Sequence, residues 1–126
     1  MKFPAELKYT RTHEWVKMET ETDALVGISD FAQDQLGDLV FVNLPVVGDT
    51  VTAGETLCDV ESVKAVSDVI SPVSGTVAAV NEDLLDAPEK LNEDPYGAWI
   101  ARIEKVSATE ELLDAAAYEA VTHEEA

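Results

Sequence analysis

Short apolar runs separated by turn residues are the feature that most limits how this chain can fold. The runs have strand character because they are rich in β-branched and aromatic residues. They lie at 12–18, 22–28, 40–44, 57–61, 66–70, 76–80 and 98–106. Glycine, proline and aspartate turn signals occur roughly every 8–12 residues, a spacing typical of β-sandwiches and flattened barrels. The chain is therefore predicted to be mostly β.

A few short peripheral helices are predicted between these strands. Ser29 or Asp30 can cap a short helix, and Gly37 can end it in a left-handed conformation. The polar segment 81–97 contains two prolines and predicts a short helix followed by a loop. Because no linker divides the chain, residues 1–126 are predicted to form one domain.

The C-terminal segment has the composition of a longer helix. Residues 107–110 read Ser-Ala-Thr-Glu, the pattern of a capping box, and precede a stretch rich in Ala, Leu and Glu. We therefore predict a C-terminal helix over 107–121 whose apolar side packs on the sheet. That apolar side consists of Leu112, Leu113, Ala116 and Val121.

An excess of acidic residues limits the classes of partner. Twenty-six acidic residues oppose eight basic ones, so the formal net charge is −18. Nucleic acids and anionic membranes are disfavoured as partners, since both are bound by clusters of Lys and Arg. Repulsion among so many negative charges destabilises a compact chain unless salt screens it. We therefore interpret the acidity as adaptation to high salt. The alternative is an ordinary acidic protein with basic partners.

The common motifs of enzymes and metal sites are missing from the sequence. There is no CxxC, HExxH, GxSxG, P-loop or GxGxxG pattern. The single cysteine, Cys58, alternates with Val60 in a strand, which predicts a buried and inert thiol. The N-terminus resembles neither a signal peptide nor a transit peptide, and no apolar run is long enough to span a membrane. These observations predict a cytoplasmic protein that is not an enzyme and that borrows any reactive group it uses.

Lys64 lies between two predicted strands, in the triplet Val63, Lys64 and Ala65. Its amine is therefore expected at the exposed tip of a hairpin whose strands hold it rigidly. A prosthetic group attached there would be accessible to a modifying enzyme, and amide formation would remove the charge. The alternative is a lysine that only improves solubility, because turns commonly carry charge.

The sequence around Lys64 resembles the lipoyl and biotinyl carrier domains. It reads GDTVTAGETLCDVESVKAVSDVISPVSGTV at 48–77. Biotinyl domains usually have methionine on both sides of the lysine, so Val63 and Ala65 favour lipoate. The resemblance implies a flattened β-barrel or sandwich of the lipoyl/biotinyl carrier type, built from hybrid hairpin halves, with short peripheral helices.

Motifs outside this segment narrow the resemblance. HEWV at 13–16, GISDFAQDQLGDLVFVNLP at 27–45 and LNEDPYG at 91–97 are similar to the H proteins of the glycine cleavage system. In that family the lysine carries lipoic acid as an amide, which implies that Lys64 is the lipoyl attachment site. A lipoate ligase or a lipoyl/octanoyl transferase would attach the group. No metal is implied.

The resemblance also implies a set of partners and a route for the carried group. The carrier would take an aminomethyl group from the decarboxylating glycine dehydrogenase (P protein) to the aminomethyltransferase (T protein). Dihydrolipoyl dehydrogenase (L protein) would then reoxidise it. The chain itself would be a non-catalytic subunit, and we expect a monomer in isolation.

Family members shelter the loaded lipoyl group from water in a cleft on the carrier. They have acids at the positions of Glu14 and Asp68 and a hydroxyl at the position of Thr12. A carboxylate there can hold a cationic amine by a charge-assisted hydrogen bond. The alternative for both acids is a solvated strand residue, because acids are abundant in this chain. His13 and Trp15 are predicted to be structural.

Three other functions stay open at this point. The first is an H-like protein that relays lipoyl groups to other acceptors, which the sequence does not separate from the glycine cleavage carrier. The second is a lipoyl domain of a 2-oxoacid dehydrogenase, against which the HEWV, DPYG and C-terminal segments argue. The third is an interaction module that carries no cofactor.

Overall fold

Two antiparallel β-sheets make up most of the protein in the computed structural model, which describes residues 1–125. The larger sheet has six strands and the smaller has three. In spatial order, the larger sheet consists of β1 (Lys8–Tyr9), β2 (Glu14–Met18), β3 (Ala24–Ile28), β9 (Ala101–Thr109), β8 (Val73–Val80) and β5 (Thr50–Val51). The smaller sheet consists of β4 (Leu39–Asn43), β6 (Thr56–Ser62) and β7 (Val66–Ile70). This architecture confirms the predicted mostly β fold of barrel or sandwich type.

The helices of residues 1–125 are α1 (Asp30–Leu36), α2 (Asp83–Asp86), α3 (Lys90–Glu93) and α4 (Ala115–Glu125). The predicted ends of α1 are confirmed. The Ser29 hydroxyl accepts a hydrogen bond from the Ala32 N–H at 3.1 Å. Gly37 follows the helix with φ +80°, and its N–H donates to the Gln33 carbonyl at 3.0 Å. None of these helices has the length and apolar character needed to cross a membrane.

The predicted helix over 107–121 is wrong at its start. β9 continues to Thr109, where Thr109 and Ala108 pair with Val73 and Ser74 of β8. This pairing satisfies the backbone groups of the capping-box residues, so the tertiary context overrides the local helix signal. α4 begins only at Ala115.

The apolar side predicted for this helix is also partly wrong. Leu112 and Leu113 precede α4, and Leu113 instead exchanges two backbone hydrogen bonds with Tyr9, at 2.7 and 2.8 Å. Ala116 is exposed, whereas Val121 is buried as predicted. The helix therefore does not use a leucine stripe to pack on the sheet.

The apolar faces of the two sheets enclose the main core. Val26 and Ile103 of the larger sheet and Val42 and Val60 of the smaller sheet are fully buried there. Cys58 belongs to the same cluster, so its predicted inward orientation is confirmed. Burial raises the pKa of this thiol to about 12, which keeps it un-ionised and unreactive near neutral pH.

An aromatic cluster lies where α4 covers β1 and β2. Tyr118 of α4 stacks on Tyr9 with the ring centroids 4.6 Å apart. Trp15 of β2 is buried beside them, and its indole N–H donates to the Pro95 carbonyl at 3.0 Å. The cluster holds the first residues of β2, which include Glu14, against the rest of the protein.

Gly27 makes room for Trp15 and provides a test of this packing. The two residues are directly opposite each other in the β2–β3 pair. A Cβ atom at position 27 would lie 2.6–2.7 Å from three indole atoms. We therefore expect Gly27→Ala to lower the free energy of unfolding by about 1–3 kcal/mol, as overpacking of a tight cluster does. Urea unfolding measures this change.

A double-mutant cycle is the control for the Gly27 prediction. Trp15→Leu removes the indole, so the added methyl group has space in that background. Gly27→Ala is then expected to cost less than half of what it costs in the wild type. An equal cost in both backgrounds would contradict the steric explanation.

Candidate functional site

Lys64 lies at the apex of the hairpin formed by β6 and β7. The last residues of the ladder, Glu61 and Val66, pair directly with each other. The Ser62 hydroxyl accepts hydrogen bonds from the backbone N–H groups of Lys64 and Ala65, both at 3.1 Å. These bonds fix the backbone of the turn, so the base of the lysine side chain is rigid although the residue is exposed.

The Lys64 amine is free to react. It forms no ion pair with any residue from 1 to 125. The hairpin is nevertheless attached to the body of the protein, because the Val63 N–H donates to the Asp38 carbonyl at 3.0 Å. An exposed, unpaired amine on a fixed turn is what an acylating enzyme requires of its target.

A cleft of about 140 Å³ lies between β2, α1 and the smaller sheet. It brings together the three residues that were predicted to shelter the lipoyl group, Thr12, Glu14 and Asp68. Apolar side chains, including Ile28 and Leu36, form much of its wall. The cleft thus combines an apolar wall with carboxyl groups that come from distant parts of the chain.

Glu14 is the buried acid of the cleft, with 2% of its surface exposed. Its Oε1 accepts hydrogen bonds from the hydroxyls of Thr10 at 2.8 Å and Thr12 at 2.5 Å. Its Oε2 accepts a hydrogen bond from the Ile70 N–H at 3.3 Å. Burial raises the pKa of Glu14 to about 7, although the hydrogen bonds from Thr12 and Thr10 lower it. No Lys, Arg or His among residues 1–125 forms an ion pair with it.

Thr12 and Asp68 are closer to the solvent than Glu14 is. Both residues are exposed, so they lie at the mouth of the cleft rather than at its base. The Thr12 hydroxyl is committed to the Glu14 carboxyl group, which it orients. Asp68 pairs with Asp59 in the β6–β7 ladder, four residues after Lys64. A cationic group in the cleft would therefore meet a carboxylate at the mouth and another at the base.

The comparison with known proteins assigns the family. A family model described as glycine cleavage H-protein matches residues 7–125 of the chain. The chain belongs to this family. It is 58% identical over 119 residues to the glycine cleavage system H protein of Lachnoclostridium phytofermentans, a match that covers 94% of each chain. It is 55% identical over 127 residues to that of Acidobacterium capsulatum, covering 99% of this chain and 98% of the relative.

A solved structure supports the same assignment. The crystal structure of a glycine cleavage system H protein from Mycobacterium marinum matches this fold with a TM-score of 0.86 and 43% sequence identity. The match covers 93% of this chain and 96% of that one. The resemblance inferred from the motifs is therefore confirmed. As a glycine cleavage H protein, the chain is a lipoyl carrier.

His13 has a larger role in the site of this H protein than its sequence context indicated. It lies between Thr12 and Glu14 with φ +78°, and it also lines the cleft. Its Nδ1 is 2.9 Å from the Tyr118 hydroxyl, and its Nε2 is 3.0 Å from a carboxylate oxygen of Glu125. α4 thereby fixes the backbone that presents both cleft residues. The sequence offers no signal for this link, because the partners are more than 100 positions apart.

Gln35 and Ser67 also line the cleft and were not singled out from the sequence. Gln35 lies on α1, two positions before Gly37, and Ser67 lies on β7, three positions after Lys64. From the sequence alone, only Ser67 is expected to lie near the lysine hairpin, because it is close to Lys64 along the chain. The position of α1 against the hairpin depends on the packed structure.

Proposed function

We propose that Lys64 carries lipoic acid as an amide and that this protein shuttles the glycine-derived aminomethyl group between the enzymes of the glycine cleavage system. One observation carries the proposal. The exposed, unpaired amine of Lys64 lies on a rigid hairpin, both strands of which border a cleft containing the buried acid Glu14. The family assignment supplies the identity of the attached group.

The residues of this chain would hold the lipoylated side chain of Lys64, here called the arm, in two places. The fixed turn holds the base of the arm outside the protein, where a lipoate ligase or a lipoyl/octanoyl transferase can reach the amine. When bound, lipoate supplies the dithiol that accepts and releases the aminomethyl group and is reoxidised afterwards. The apolar wall of the cleft excludes water from the far end of the arm.

Glu14 would bind the cationic amine of the carried group. A buried carboxylate without a protein cation is poorly solvated, so a charge-assisted hydrogen bond to an ammonium group stabilises it. Thr12 orients Glu14, and Asp68 adds a second negative charge at the mouth of the cleft. The role of all three residues is therefore to bind and position the cargo, not to break bonds.

The partners follow from the same proposal. The P, T and L proteins each receive the arm in turn, and the acidic surface favours docking faces that carry basic residues. We propose that the protein is a cytoplasmic monomer in isolation, with neither nucleic acid nor membrane as a partner. Encounters with all three enzymes are then expected to weaken as ionic strength rises.

Reconstitution with the three enzymes tests this function. The lipoylated protein is expected to support tetrahydrofolate-dependent glycine decarboxylation, and the unlipoylated protein is expected to support none. Transfer of the lipoyl group to other acceptor proteins is measured in parallel. Lipoyl transfer without glycine decarboxylation would overturn the proposal and favour the relay function.

The acidic surface leads to a prediction on salt, because we also propose that it reflects a high-salt habitat. At a net charge of −18, self-repulsion destabilises the folded state until ions screen it. The melting temperature is expected to rise by about 4 °C or more between low and molar KCl, which corresponds to roughly 1 kcal/mol. A melting temperature that does not rise with KCl would exclude the salt adaptation but leave the carrier function untouched.

A further inference from the structure

The side chain of Lys64 lies across the Cα atom of Gly37. A Cβ atom built at Gly37 would be 3.2 Å from Cε of Lys64, 3.6 Å from Nζ and 3.8 Å from Cδ. The distance of 3.2 Å is shorter than an ordinary contact, so a Cβ atom at position 37 would displace the lysine side chain by a few tenths of an ångström. The aliphatic part of the Lys64 side chain therefore lies closer to residue 37 than most side chains lie to a Cβ atom.

Gly37 is next to the wall of the cleft. It directly follows Leu36, and both Leu36 and Gln35 line the cleft. The backbone N–H of Val63 binds the Asp38 carbonyl at 3.0 Å, which holds the lysine hairpin against this end of α1. A side chain that leaves the apex and crosses Gly37 therefore lies next to the residues that form one wall of the cleft.

The backbone at Gly37 is held firmly in place. Its N–H donates to the Gln33 carbonyl at 3.0 Å, and its carbonyl accepts from the Asn92 side-chain amide at 2.9 Å. The same Asn92 side chain accepts a hydrogen bond from the Leu39 N–H at 2.9 Å. The surface under the lysine stem is thus a fixed part of the protein and not a mobile loop.

We propose that Gly37 is a positioning residue for the arm. Because Gly37 has no side chain, the acylated Lys64 side chain can pack over its Cα atom and extend from the hairpin apex to the cleft. This inference rests on the proposed lipoylation of Lys64. It assigns a second role to a glycine that also ends α1 with φ +80° and ψ −161°, a conformation that other residues rarely adopt.

Gly48 separates the steric role from the conformational one. It also has a positive φ, of +98°, but a Cβ atom there would meet nothing within 4 Å. Gly48→Ala therefore also places a Cβ atom at a positive φ, but without touching Lys64. Gly37→Ala does the same and also displaces the Lys64 side chain.

The test uses wild-type protein and both variants, each lipoylated and verified by intact mass. The P protein loads the arm from glycine and is then removed. Water slowly cleaves the carried group, giving the free thiol, formaldehyde and ammonium, and the formaldehyde released measures how well the arm is sheltered. Gly37→Ala is expected to shorten the half-life of the loaded protein about tenfold. This change corresponds to a loss of about 1.4 kcal/mol in the free energy that holds the loaded arm in the cleft. Gly48→Ala is expected to change it less than twofold.

Each outcome decides a different point. If Lys64 takes up no lipoate, the proposed function and this inference both fail. If both variants are lipoylated and their loaded half-lives agree, only the inference is overturned. A nuclear Overhauser effect between the Lys64 ε-methylene and the Gly37 α-protons in the lipoylated wild type is expected in addition. Its absence would overturn the inference even if Gly37→Ala does not fold.

Discussion

Lys64→Arg is expected to abolish carrier activity and leave the fold intact. Arginine keeps the positive charge, but its guanidinium group stays protonated and is not a nucleophile that a ligase can acylate. Because Lys64 is exposed and forms no ion pair among the described residues, the substitution is expected to change the free energy of unfolding by less than about 0.5 kcal/mol. Glycine decarboxylation with the P, T and L proteins is expected to fall to the rate measured without carrier.

Lys17→Arg is the matched control for this experiment. Lys17 is also exposed, but it lies on β2 and away from the hairpin turn. This variant is expected to accept one lipoyl group and to retain full activity. If Lys64→Arg kept wild-type activity, or if the lipoyl group were found on another lysine, the assigned attachment site would be wrong.

Replacing Glu14 by glutamine is expected to remove a large pH dependence of stability. Burial raises the pKa of Glu14 from 4.5 to about 7 in the folded protein. Between these two values the folded state binds more protons than the unfolded state, so Glu14 makes stability fall as pH rises through this range. The difference of about 2.5 pKa units corresponds to about 3 kcal/mol. Glutamine does not titrate and contributes no such slope.

Urea unfolding at pH 4.5 and pH 8 measures this contribution. The free energy of unfolding of wild-type protein minus that of Glu14→Gln is expected to be about 3 kcal/mol lower at pH 8 than at pH 4.5. Taking the difference cancels the pH dependence of the other acids. Asp68→Asn is the control, because it removes one charge from the exposed mouth of the same cleft. If the Glu14→Gln and wild-type curves ran parallel, the buried carboxyl group would not titrate as described.

The same variant is expected to weaken the hold on the carried group. A neutral amide forms a weaker hydrogen bond to an ammonium group than a carboxylate does. The loaded Glu14→Gln protein is therefore expected to lose its cargo to water about tenfold faster, which corresponds to about 1.4 kcal/mol. Loss at the wild-type rate would show that Glu14 does not bind the cargo.

The lysine hairpin was predictable because all its determinants are local. The two strands, the turn and Lys64 lie within one short stretch of sequence, and Ser62 fixes the turn from two positions away. The prediction that Glu14 and Asp68 lie in one cleft depended on the family resemblance. Their proximity depends on how β2 packs against β7, which no local pattern encodes.

The features that were predicted wrongly or missed are determined by long-range packing and not by local sequence. The capping box at 107–110 was a sound local signal, but pairing of β9 with β8 determines the conformation there. The two-residue strands β1 and β5 are too short to produce a pattern. The contact between Gly37 and Lys64 and the raised pKa of Glu14 both arise from packing, so only the structure reveals them.

The most direct test of the account is the mass of the protein purified from its own lipoate-replete cells. Intact mass and peptide mapping are expected to find one lipoyl amide, located on Lys64. An unmodified Lys64 in that material would contradict the central claim that this amine exists to carry the arm.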